Sequence, residues 1–176
     1  MKFELKVYFK TIIMNIKSQL EYRKAFIISS FGSFFVTFLL IVAVYFLFMT
    51  FNQIGDWNFY QVAFLFGMVY FNFALAEMFL RGIDYFEETI RSGEFDRILI
   101  RPQNLLMQAA SKQFDLSKIG RMFQAVLVVS VALINIKIEW DLYKIMVLLF
   151  MNIGCFIIFF ATFILKASFC FWTING

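Results

Sequence analysis

Chemistry has few places to reside in this chain. Histidine is absent from all 176 residues, which excludes a Ser-His-Asp triad and any His-ligated metal site. The two cysteines, Cys155 and Cys170, stand in or beside one apolar run. They lack the paired spacing of zinc sites or disulfide frameworks and read as small buried hydrophobes. No G-x-x-x-x-G-K-[ST] occurs, so the chain has no cradle for hydrolysing ATP. It reads as noncatalytic and calls for no cofactor. What is left are ionisable groups at the edges of apolar runs: Glu77, Arg81 four residues on, and Arg121 with Gln124. A charge set into hydrocarbon costs about 3 kcal/mol on insertion scales. Their shared shallow depth predicts an ion pair, Glu77 with Arg81 or with Arg121. Reversible protonation of Glu77 is the other chemistry open to it.

A second group of polar residues fills the segment 91–102, Arg-Ser-Gly-Glu-Phe-Asp-Arg-Ile-Leu-Ile-Arg-Pro. Upstream of it, Phe79, Ile83, Phe86 and Ile90 recur at helical spacing, with charges on the other faces. Gly93 is placed to end that helix as a C′ residue. A short piece over 94–100 follows, with Phe95, Ile98 and Leu99 on one side and Glu94, Asp96 and Arg97 on the other. Pro102, the only proline, pushes Arg101 towards an extended conformation and stops the piece. Pro102 then suits the first turn of a helix running through Leu105, Leu106 and Gln108. A solvated loop is the plain reading of such a segment. Against it stand Phe95, Ile98, Leu99 and Ile100, costly in water unless lipid or a partner covers them.

The elements that must position these groups are membrane helices. Hydrophobic residues make up 62% of the chain and charged ones 16%, where soluble domains carry about a quarter charged. Four runs, at 25–51, 61–80, 119–136 and 142–165, are long enough to cross a hydrocarbon core of about 30 Å. They are apolar on all sides instead of alternating, which selects helices over a barrel. The expected fold is all-α, a polytopic helical bundle forming a single transmembrane domain over 1–176, with a cytoplasmic connection at 81–118.

Lys and Arg crowd the N-terminal segment and the connection 81–118 but are absent from the loop 52–60. The positive-inside bias therefore puts the N-terminus, the connection and the C-terminus in the cytoplasm. The net charge of +4 reflects topology and anionic lipid, and nucleic acid is not an expected partner. The first run is about twice the length of a signal-peptide core and lacks a small-x-small site, so no cleaved leader is expected.

Ahead of it, 1–24 reads as an amphipathic helix. Leu5, Phe9, Ile12, Ile13, Ile16 and Leu20 form one stripe, edged by Lys2, Lys6, Lys10 and Lys17. Glu4, Thr11, Asn15, Ser18 and Gln19 take the other side. This is the pattern of a helix lying in the membrane interface. Ser29, Ser30, Gly32, Ser33, Ala63 and Gly67 permit close approach between spans.

The Tyr22-Arg23-Lys24 lead into the first span, the Gly93-x-Phe95-Asp96-Arg97-x-Leu99-x-Arg101-Pro102 block and the closing Ala167-Ser168-Phe169-x-Phe171-Trp172 resemble the permease subunits of bacterial ABC-2 type exporters. The resemblance implies that 1–24 is an interfacial elbow helix and that the segment around Gly93 is a coupling helix seated in a separate ATPase subunit. Phe95, Asp96, Arg97, Leu99 and Arg101 would contact that ATPase, with Gly93 and Pro102 shaping the knob. It further implies a second permease subunit, identical or related, and a multi-pass protein of the bacterial inner membrane that moves a substrate outward. Members of the family usually have six spans, so four lead us to expect a fragment or truncated product. Two readings from other classes stay open: a proton-coupled secondary transporter using Glu77, and a nontransporting membrane scaffold or immunity protein.

Overall fold

The computed structural model describes residues 2–51, 53–101, 104–136 and 138–173. Pro102 lies outside the described residues, and so do Lys137 and the closing Asn175 and Gly176. The chain runs through α1 (Lys2–Glu21), α2 (Arg23–Phe51), α3 (Phe59–Asp84), α4 (Phe86–Arg91), α5 (Glu94–Leu99), α6 (Leu105–Lys112), a 3-10 turn at Leu116–Lys118, α7 (Ile119–Asn135) and α8 (Leu142–Thr173).

Among the described residues, four helical stretches are long and apolar enough to cross a membrane: Arg23–Phe51, Phe59–Arg91, Leu116–Asn135 and Leu142–Cys170. The first has 29 residues, about 43 Å at about 1.5 Å each, more than the roughly 30 Å of hydrocarbon requires. In their most apolar stretches Phe59–Arg91 is 44% buried and Leu142–Cys170 only 6%. Leu142–Cys170 is therefore a surface for lipid or another chain, and Phe59–Arg91 is the most enclosed of the four. Large apolar side chains such as Phe31, Phe46, Phe150 and Ile158 are exposed. In water this would be untenable; in lipid it costs nothing.

The chain divides into two compact units. One comprises residues 27–75 and 117–156. Its core is Ile41, Ala63 and Ala132 with Val44, Phe59, Phe64 and Val128 packed around them, so α2, α3 and α7 meet on small side chains. A Cβ on Gly67 would lie 3.1 Å from the Ala125 carbonyl oxygen, and one on Gly120 2.2 Å from that of Ser30. Helix backbones touch at both places, as small residues allow in lipid. Gly32, expected to serve the same purpose, has nothing within 4 Å.

The other unit comprises 1–26, 76–116 and 157–176. The helical ladder passes from α3 into α4 with Tyr85 as the joint: the Tyr85 amide donates to the Arg81 carbonyl at 3.1 Å and the Thr89 amide to the Tyr85 carbonyl at 3.2 Å. Leu80, Ile83, Phe86 and Thr89 are the buried face of this rod. At Gly82 it crosses α6 so closely that a Cβ would stand 1.9 Å from the Ala109 carbonyl oxygen. Phe79 meets Phe114 edge-on at 5.4 Å.

The N-terminal helix also meets protein. Part of its polar side packs against the segment around α6, while Ser18 is exposed. Asn15 donates to the Ser111 and Lys112 carbonyls at 3.0 and 3.3 Å, and Gln19 donates to the Phe114 carbonyl and accepts from the Leu116 amide at 2.9 Å. The Ser111 and Lys112 carbonyls end α6, where helix geometry leaves acceptors unfilled, and Phe114 lies in the loop that follows. α1 thus docks through amides, while Phe9, Ile13 and Leu20 of its apolar stripe are exposed and Ile12 is buried.

Candidate functional site

Two sites emerge. The first is built on Arg81. Its guanidinium lies 2.7 Å from Glu77 Oε1, 2.9 Å from Asp84 Oδ2 and 3.7 Å from Asp115 Oδ2. It also donates to the Tyr85 hydroxyl at 2.9 Å and stacks on that ring. Lys166 of α8 pairs with the other oxygen of Asp84. Helical spacing puts Glu77, Arg81, Asp84 and Tyr85 on one face; the loop after α6 delivers Asp115, whose amide also donates to the Met78 carbonyl at 3.3 Å. The Glu77 and Arg81 side chains are 9% and 19% exposed. At that depth a charge must be paired and hydrogen-bonded to be tolerated. Sequence reasoning found Glu77 and Arg81 but missed Asp84, Asp115 and Lys166, whose only signal was charge at a span edge.

Arg121 belongs to the other unit, with its guanidinium 5.4 Å from the Phe73 ring centre. One turn on, Gln124 is buried, and neither of its amide atoms has a hydrogen-bond partner among the described residues. The same unit joins two polar residues deep within spans that sequence reasoning passed over. Asn72 donates to Asn152 Oδ1 at 2.7 Å, linking α3 to α8.

The second site is the knob formed by α4, Gly93 and α5. Ser92 closes α4, its amide donating to the Glu88 carbonyl at 2.9 Å, and Gly93 follows at φ +72. That left-handed turn is open to glycine at little cost. Phe95 turns inward and meets Phe86 edge-on at 5.4 Å. Glu94 pairs with Lys112 of α6, which also donates to the Thr89 hydroxyl at 2.9 Å. The Lys112 hydrogen bond and charge, aided by Arg97, hold the Glu94 carboxyl below its ordinary value of 4.5. Two ties therefore fasten α5 to α4 and α6, a third joins α6 to α4, and the other side of α5 is open. Asp96, Leu99 and Ile100 are exposed there, Ile100 at 82%. Arg97 and Arg101 line a cleft of about 280 Å³ against α1 and α6.

α6 begins at Leu105 behind Asn104, whose side chain accepts from the Leu106 and Met107 amides at 3.0 and 3.3 Å. This cap does what Ser, Thr, Asp or Asn does at a helix start. The expected helix start at Pro102 lies outside the described residues.

The model of a family described as ABC-2 family transporter protein matches residues 31–176. Neither the comparison with curated proteins nor that with solved structures finds a match.

Proposed function

The chain belongs to the ABC-2 family of transporter proteins, membrane components of ABC-type transport, and from that premise we propose that it is the permease subunit through which a separate ATPase drives export. The observation that carries this reading is the knob. It combines a glycine turn, a short helix tied down on one side, and an exposed patch of Asp96, Leu99 and Ile100 on the other. A mechanical linkage needs stiffness and a docking face together, because a force applied to a loose loop is lost in its own rearrangement.

The proposed path of force starts at α5. Closure of two ATPases on ATP pushes Asp96, Leu99 and Ile100. Phe95 and Glu94 pass the displacement to Phe86 and Lys112, hence to α4 and α6. The unbroken ladder through Tyr85 carries it into α3. Phe95 is on this reading a positioning residue, Arg97 and Arg101 flank the docking face, and Gly93 with Pro102 shapes it. The chain pairs with a second permease subunit across its lipid-facing helices, in a bacterial inner membrane, with the N-terminus and knob in the cytoplasm. Glu77, held by Arg81, acts as a structural anion; this favours ATP over proton coupling.

Co-expression with a P-loop ATPase encoded beside it tests the reading. The wild-type chain should retain the ATPase through purification, and Leu99→Asp with Ile100→Asp should release it while the chain still reaches the membrane. Undiminished co-purification and transport in that double variant would overturn docking at the knob.

A further inference from the structure

The cleft walled by α1, α5 and α6 has features that docking of an ATPase does not use. Val7 and Thr11 of α1 form one wall, Ser111 and Lys112 of α6 another, and Arg97, Ile98 and Arg101 the third. Three cations line it against one carboxylate, Glu94, which is paired with Lys112 and acts only at longer range on Arg97. Arg97 and Arg101 are left facing the same space four residues apart. Like charges at that spacing repel, and neither guanidinium has an ion-pair partner among the described residues. A bound anion would remove the repulsion and satisfy both forks, since guanidinium matches phosphate oxygens two at a time.

The position selects the kind of anion. The α1 wall belongs to a helix whose Phe9, Ile13 and Met14 are exposed and apolar while Lys6 and Lys10 are exposed and charged, the distribution of a helix at a lipid interface. The cleft therefore opens where headgroups lie. Its volume of about 280 Å³ is that of about nine water-sized groups at about 30 Å³ each, room for a phosphate with its glycerol. Val7 and Ile98 supply an apolar margin for the acyl side.

We propose that this cleft binds the phosphate headgroup of an anionic phospholipid, gripped by Arg97 and Arg101, and so ties the coupling knob to the membrane through α1. The test uses the full chain purified in an uncharged detergent, with native mass spectrometry and a lipid titration. Phosphatidylglycerol should be retained at one molecule per chain and phosphatidylcholine should not. At about fivefold per basic contact, Arg97→Gln with Arg101→Gln should weaken phosphatidylglycerol about twenty-five-fold. Val7→Trp, which fills the cleft without changing charge, should also abolish retention. Arg91→Gln, at an arginine paired with Glu87 outside the cleft, should retain it. Equal retention of phosphatidylcholine, competition by inorganic phosphate at the lipid's own concentration, or wild-type retention by the double variant or by Val7→Trp would each overturn the proposal. Because the readout needs no ATPase, its failure is distinguishable from failure of the docking reading.

Discussion

Arg81 is the residue on which most charge converges. Replacing it with Met removes the cation that Glu77, Asp84 and Asp115 share, in a site where the Glu77 and Arg81 side chains are 9% and 19% exposed. Breaking such a pair costs about 3–5 kcal/mol, so Arg81→Met should lower the thermal midpoint of the detergent-solubilised protein strongly. Gln124 predicts the opposite sign. Its amide is buried without a partner, a penalty of about 1–3 kcal/mol, and Gln124→Met should raise the midpoint. Glu94 gives a pH dependence. Its folded-state pKa is depressed, so the α5–α6 tie is fully present above the ordinary value of 4.5 and is lost as pH falls below it towards the depressed value. Hydrogen exchange of α5 amides, corrected for intrinsic rates, should lose protection on acidification below that point, and Glu94→Gln should remove the dependence. Glu77 and Arg81 were legible together because four-residue spacing is local. Asp115 and Lys166 were not, since they reach the same cluster from other elements.

At the scale of elements, the periodicity of apolar residues and the glycine at position 93 outlined two short helices with a turn between them. Gly93 was readable because a left-handed turn between two short helices demands it. Gly82 was not, because its necessity lies 27 residues away in the Ala109 carbonyl that a side chain would strike. Forcing a Cβ there must part α3 from α6; overpacking costs about 1–3 kcal/mol, and Gly82→Val should fall at or beyond the upper end, read as lower yield of folded protein. The amphipathic pattern of α1 was legible as two faces, but what its polar face packs against was not. A polar face ordinarily goes to water; here Asn15 fills orphan acceptors at the end of α6, and Gln19 bonds the Phe114 carbonyl and the Leu116 amide beyond it. Asn15→Leu with Gln19→Leu should free α1, measured as faster proteolysis ahead of Arg23.

At the scale of the whole molecule, composition alone required lipid as solvent, and helices followed because lipid offers no partner for an open backbone. Run lengths then set which segments can span. These are sums over many residues and survive ignorance of any single contact, so the all-α membrane class and the transporter family were within reach of the sequence. What the tertiary structure decided are coincidences between distant segments: Asn72 with Asn152 inside the spans, Ala109 against Gly82, Lys112 between Thr89 and Glu94, and Arg97 with Arg101 on one cleft. Periodicity carries the direction of a side chain around its own helix axis but nothing about what stands opposite. That is set by how helices cross, which depends on the combined shape of all their surfaces.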